Sequence, residues 1–229
     1  MTSPIDDLPR DRLIAEFSLW SADLLRLDVE LARIAPHADL LHIDVADGHF
    51  APALLFFPDL VAAIRKASAV PIHVHLMIAD RELLAQIDQF ADAGADLISI
   101  HVENASVANK ALDLLAARGV AAGMVLKVDT AVESVAPYLS RLRFLTLLGT
   151  RIGVKGQGLD AKALDRLQTA RRLIAGCGAG HRIVLAADGG IRETTVPLLR
   201  AAGADTVVLG SLAFGAPDLA ARMSWLHGL

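Results

Sequence analysis

The chain has 229 residues, 54% of them hydrophobic and 21% charged, with a formal net charge of −4 and a single cysteine. That length suits one large α/β domain or two small ones with an ample core, and the mild charge without a Lys/Arg cluster argues against a nucleic-acid partner. Cys177 alone excludes an internal disulfide and fits a reducing compartment.

The residues ahead of Leu13 hold acids and prolines, not a charged-then-apolar targeting signal. No apolar run approaches the ~20 residues that span a bilayer. A soluble, cytoplasmic protein with no membrane or nucleic-acid partner is expected.

Short apolar runs alternate with helix-period segments along the chain. The runs are Ala15–Trp20, Leu40–Val45, Ile72–Met77, Leu97–Val102, Ala122–Leu126, Phe144–Leu148, Ile183–Ala187 and Thr206–Leu209. They lack polar alternation, as strands of a parallel sheet covered on two faces do. Leu83, Ile87 and Phe90 mark one helix, closed by Gly94; Ala111, Leu114 and Leu115 mark another, closed by Gly119. Val196, Leu198 and Leu199 lie in a third, closed by Gly203; glycine is a helix stop signal.

The sequence Ala-Gly-Ala-Asp occurs twice, at 93–96 and 202–205, each time between a helix and an apolar strand. Eight strand–helix units predict an α/β fold, one (β/α)₈ TIM barrel over residues 1–229. A doubly wound open sheet would want a glycine-rich turn after the first strand. Here that turn reads Ser18-Leu19-Trp20-Ser21-Ala22-Asp23.

Barrel strands converge on one mouth at their C-terminal ends. His42 and Asp44, two apart on the second strand, face the same way. His75 ends the third strand and Asp188 the seventh. Singly, such a histidine is more often a hydrogen-bonded core residue and such an aspartate a turn residue. Together, two imidazoles and two carboxylates on three strand ends suit one divalent metal ion: Zn, Fe(II), Mn or Co.

His73 shares the face of His75 but sits deeper and reads as structural. Asp47 reads as a turn or capping residue, and His101 either lines the mouth or packs. Gly189-Gly190 and Gly210-Ser211 follow the last two strands, where barrels often hold a phosphate on backbone N–H groups. The loop Gly149–Gly158 carries four glycines with Arg151 and Lys155, so it reads as a lid or an anion clamp.

These residues resemble the ribulose-phosphate 3-epimerase family, from about Phe17 to Phe214. Phe17–Asp23 is similar to the family's Pro-Ser-Ile-Leu-Ser-Ala-Asp, and His42–Phe50 to its His-Ile-Asp-Val-Met-Asp-Gly-His-Phe. Val74–Met77 matches its third-strand motif, and Ala187–Ile191 resembles its Val-Asp-Gly-Gly-Ile. The resemblance implies that His42, Asp44, His75 and Asp188 bind the metal, and that Asp44 and Asp188 double as the catalytic acid/base pair. Ser18, Met77, Gly153, Lys155 and Gly156 are expected at the substrate, with Gly189, Gly190, Gly210 and Ser211 at its phosphate. A homo-oligomer is also expected.

The departures lie at the mouth. Ala46 and Leu148 stand where the family has methionine, and Ala53 where it has asparagine. The family's Asn-Pro-Gly-Phe-Gly-Gly-Gln loop reads Arg151-Ile-Gly-Val-Lys-Gly-Gln157.

The implied reaction is metal-dependent epimerisation at C3 of a ketose phosphate, of the ribulose 5-phosphate/xylulose 5-phosphate type, through an enediolate. The alternatives are an epimerase of another ketose phosphate (allulose 6-phosphate or tetrulose phosphate type) and a non-catalytic sugar-phosphate-binding barrel. A β-keto-acid decarboxylase of the same barrel group would want Asp-x-Lys-x-x-Asp near the third strand, where this chain has His73-Val-His-Leu-Met-Ile78 and no lysine.

Overall fold

In the computed structural model, which describes residues 3–229, eight strands pair in parallel and in sequence order, and the last closes on the first. They are β1 (Ile14–Ser18), β2 (Leu40–Ala46), β3 (Ile72–Met77), β4 (Leu97–His101), β5 (Ala121–Leu126), β6 (Phe144–Leu148), β7 (Val184–Asp188) and β8 (Thr206–Leu209). The helices are α1 (Leu27–Ile34), α2 (Pro58–Ala67), α3 (Asp80–Asp92), α4 (Ala108–Arg118), α5 (Ala163–Gly176), α6 (Val196–Ala201), α7 (Ser211–Phe214) and α8 (Leu219–His227). The predicted barrel is therefore the observed fold. No helix among the described residues is long and apolar enough to cross a membrane.

Five strands differ from the sequence reading by one or two residues at an end; β2 runs on to Ala46 and β5 starts at Ala121. β1 stops at Ser18 because Leu19–Ser21 winds into a 3₁₀ turn. β4 stops at His101, where Asn104 Oδ1 accepts from the His101 backbone N–H and turns the chain. β7 lies one residue later than its apolar run and ends on Asp188 itself. Between β5 and β6 the helical layer is a 3₁₀ helix, Val132–Arg141, with Pro137 inside it. Proline has no N–H to donate within the helix.

Two apolar layers hold the barrel. The larger lies between strands and helices, where Leu83, Ile87 and Phe90 of α3 are fully buried. Their spacing of four and three residues puts them on one helix face. The smaller plugs the N-terminal end of the barrel interior: Ile14, Leu40, Leu97, Phe144 and Val184 meet Ile5 and Leu8 from the segment ahead of β1. Above this plug the inward-facing residues turn polar. Glu16, His42, His73, Ser99, Thr146 and Thr206 are all buried.

The N-terminal rim repeats one arrangement. Asp96 Oδ2 accepts from the backbone N–H of Ile72, the first residue of β3, and from Arg65 of α2. Asp39 does the same with Ala15 of β1 and with Arg12, and Asp205 with Leu185 of β7 and with Arg171 of α5. The repeated Ala-Gly-Ala-Asp thus supplies a carboxylate that ties a strand start to an arginine.

Asp96→Ala leaves the Ile72 N–H and the Arg65 guanidinium without this acceptor. Unfolding in urea should show a loss of about 1–3 kcal/mol, with the cavity's ligand binding unchanged because the rim is at the other end of the barrel.

Candidate active site

Strand register assembles the site. Ser18 pairs with His42 across β1 and β2, and Asp44 pairs with His75 across β2 and β3. Leu148 pairs with Asp188 across β6 and β7. One ligand atom each from His42, Asp44, His75 and Asp188 lies within 4.8 Å of the others. All four residues predicted as metal ligands are therefore brought together.

Asp44 is the centre of the group. Its Oδ2 accepts from the Ser18 hydroxyl at 2.8 Å. Its Oδ1 lies 3.2 Å from His42 Nε2 and 3.3 Å from His75 Nδ1. Two imidazole nitrogens and a carboxylate oxygen thus converge on one point, with Asp188 alongside. This mixed nitrogen and oxygen set of four suits a divalent transition-metal ion, so the residues present fit the group that the sequence implied.

Electrostatics follows from burial and from these contacts. Burial opposes charge on Asp44, but His42 and His75 overcome it and hold the carboxyl well below its ordinary pKa. Burial likewise opposes charge on His42, and Asp44 with Glu16 raises its pKa well above the ordinary imidazole value. Among the described residues the Asp188 carboxyl has no such hydrogen-bonded partner. Desolvation, with the neighbouring Asp44 charge, pushes it up to about 6. The two carboxylates therefore differ in proton affinity although they face the same cavity.

A chain of groups supports His75 from behind. His75 Nε2 meets His101 Nε2 at 2.9 Å, and His101 Nδ1 donates to Glu103 Oε2 at 2.9 Å. Since His101 donates through Nδ1, its Nε2 accepts from His75, which leaves His75 Nδ1 free to face Asp44. His101 is fully buried and does not line the mouth. Burial lowers its pKa to about 4, so the ring is neutral at pH 7.

Asp47 has the turn role: it accepts from the backbone N–H groups of His49, Phe50 and Ala79. His73 is buried below the site, as its deeper position suggested.

The mouth opens into a cavity of about 350 Å³. Ser18, Asp44, His75, Met77 and Asp188 line its floor and walls, with Gly189, Gly190, Gly210 and Ser211 on one side. Gly153, Lys155 and Gly156 of the loop after β6 line it too. Lys155 Nζ donates to the Trp20 carbonyl and lies 4.5 Å above the Trp20 ring. Burial lowers the Lys155 pKa, and the charge of Asp44 opposes that shift.

Trp20, Ser21, Thr150 and Arg192 also line the cavity and were not singled out from the sequence. Each stands within two residues of a motif that was. Glu16 was also missed. Its signal was a lone carboxylate inside the apolar run of β1.

The model of the ribulose-phosphate 3 epimerase family matches residues 14–214. Ribulose-phosphate 3-epimerase 1 of Cupriavidus necator is 39% identical over 204 residues, covering 88% of this chain and 84% of that protein. The ribulose-phosphate 3-epimerases of Bacillus subtilis and Escherichia coli K12 are 33% and 34% identical, covering 92% and 88% of this chain and 96% and 88% of their own lengths. Among solved structures, a 3-hexulose-6-phosphate synthase matches with a TM-score of 0.65 at 18% identity, covering 94% of this chain and 96% of that one. At that identity it supports the fold alone.

Two glycines at the mouth differ in what a side chain would meet. Gly190 has φ +70°, and an added Cβ would lie 2.7 Å from Leu159 Cα; Gly156 has φ +81° and open space. Gly156→Ala should lose about 1 kcal/mol for the left-handed backbone alone. Gly190→Ala should lose clearly more, because backbone must move. Thermal or urea unfolding of the two variants checks the order.

Proposed function

Because the chain belongs to the ribulose-phosphate 3-epimerase family, we propose that it epimerises a ketulose phosphate at C3, with a pentulose 5-phosphate (ribulose 5-phosphate to xylulose 5-phosphate) as the substrate. The observation that carries this reading is the pair of carboxylates, Asp44 and Asp188, facing one cavity beside two imidazoles. The chain is a carbohydrate epimerase of the isomerase class by its family; the metal, the mechanism and the sugar are the finer claims.

Epimerisation next to a carbonyl removes a proton from one face of a carbon and returns one to the other. Asp44 and Asp188 are the two groups placed to do it, each a base in one direction and an acid in the other. Asp188, raised to about 6, and Asp44, held well below its ordinary value, differ in proton affinity, which supports different acid and base strengths on the two sides of the substrate. Ser18, donating to Asp44 Oδ2, orients that carboxylate.

Between the two transfers negative charge builds on the substrate's oxygens. A divalent ion held by His42, Asp44, His75 and Asp188 would supply charge stabilisation there. Backbone N–H groups near Gly189, Gly190, Gly210 and Ser211 hold the phosphate. Lys155, a partly desolvated cation in the same cavity, is placed to be offset by an anion.

The second reading, a six-carbon or four-carbon ketose phosphate, is favoured by one observation: Lys155 and Trp20 together close over the cavity where the loop departs from the family pattern. Incubating a panel of ketose phosphates in deuterated water separates the two. Deuterium at C3 of the pentulose 5-phosphate supports the first reading; label only in another sugar transfers the assignment to it. No label in any sugar sinks the epimerase reading.

Chelation should abolish activity, with Mn, Co, Zn or Fe(II) restoring it at about one ion per chain; full activity in a metal-free sample counts against the site. Asp44→Asn and Asp188→Asn should each stop net epimerisation. A bound substrate analogue should place the two carboxylates on opposite faces of the reacting carbon. Lys155→Ala should raise KM several-fold with a smaller change in kcat, since the phosphate is remote from the reacting carbon and held alike in ground and transition states. An unchanged KM would assign Lys155 to loop closure alone.

A further inference from the structure

Glu16 is a carboxylate in the middle of the barrel with no access to solvent. An isolated buried carboxylate is strongly disfavoured, so its partners decide why it is there. Its Oε1 accepts from His42 Nδ1 at 2.7 Å and from His73 Nδ1 at 2.6 Å. His73 Nε2 in turn meets the Ser99 hydroxyl at 2.7 Å. The serine is the donor there, because the N–H of His73 is at Nδ1, directed at Glu16, and Nε2 is the accepting atom.

The serine has room because its neighbour on β5 is Gly123: an added Cβ there would lie 2.0 Å from Ser99 Oγ. Residues of β4, β3 and β1 thus form one ordered chain that ends on a single ring of β2.

We propose that Glu16, backed by His73 and Ser99, is a positioning group for His42: it holds the Nδ1–H tautomer and so presents the Nε2 lone pair to a divalent metal ion at the site. An imidazole that ligates a metal keeps one N–H, and the atom that keeps it cannot be the ligand. With Nδ1–H committed to Glu16, Nε2 is the free atom, and it is Nε2 that points at Asp44 Oδ1. A carboxylate behind a ligating imidazole also raises its basicity. His75 is held in the opposite sense, through Nε2 to His101, so the two rings offer different nitrogens to one point. Nothing in this arrangement brings Glu16 to the cavity, whose lining does not include it.

The inference rests on the metal-binding part of the proposed function, and the test keeps the two apart. Wild type and Glu16→Gln are titrated with Co²⁺, reading its visible absorption, with a competing chelator to fix Kd. Urea unfolding of the metal-free proteins is measured alongside. Glutamine preserves shape and one acceptor but removes the charge.

Expected is a loss of about 10–100-fold in Co²⁺ affinity, with a smaller loss for Ser99→Ala. A Glu16→Gln protein that is folded and binds Co²⁺ with the wild-type Kd, altered only in unfolding stability, makes Glu16 a purely structural group and overturns the proposal. Wild type that binds no Co²⁺ overturns the metal reading itself. If Glu16→Gln does not fold, long-range ¹H–¹⁵N spectra of the Zn²⁺-loaded wild type decide. Nδ1-protonated His42 supports the proposal, and Nε2-protonated His42 refutes it.

Discussion

Asp44 gathers the polar groups of the first three strands at the upper end of the barrel. It accepts the Ser18 hydroxyl from β1, faces an imidazole nitrogen from its own strand and one from β3, and shares the cavity with Asp188 from β7. Parallel register puts it there: one residue of slip between β2 and β3 would send His75 to the helix side of the sheet. The closed barrel fixes that register. The chemistry of the mouth is therefore inherited from strand pairing, and each contact with Asp44 reports whether a strand is in place.

The barrel separates two uses of the same residue type. At the N-terminal rim, Asp39, Asp96 and Asp205 are each paired with an arginine and a strand N–H, and they serve stability. At the other end, Asp44 and Asp188 face imidazoles and a cavity. Between the ends lies a polar layer built around Glu16, which burial opposes and two histidines hold ionised, with a pKa of about 2. Charge at the rim is met by arginines, whereas charge in the middle is met by imidazole N–H groups.

Much of this was legible in the sequence. The eight apolar runs place the strands to within about two residues because parallel strands buried on two faces read as continuous hydrophobic segments. The cluster that could hold a metal was legible because strand period two and strand-end position suffice to place His42, Asp44, His75 and Asp188. The 3₁₀ helix at Val132–Arg141 was not, since Pro137 inside it argues against a regular helix there. Glu16 was not either: its role depends on pairing across four strands, which no local window contains. Whether His101 lined the mouth or packed was left open by the sequence. It turned on a contact with His75 across β3 and β4.

The loop after β6 has a further consequence. Its Lys155 is held on Trp20 of the β1 turn, and Gly153 sits against Pro52 after β2. Two neighbouring turns therefore grip it from two sides. Moving this loop away from the mouth must break those grips. Trp20 is one of two tryptophans in the chain, and the other, Trp225, lies on α8 outside the cavity wall. Indole emission from Trp20 changes when the ammonium above its ring moves, so the molecule carries an optical readout of where this loop sits.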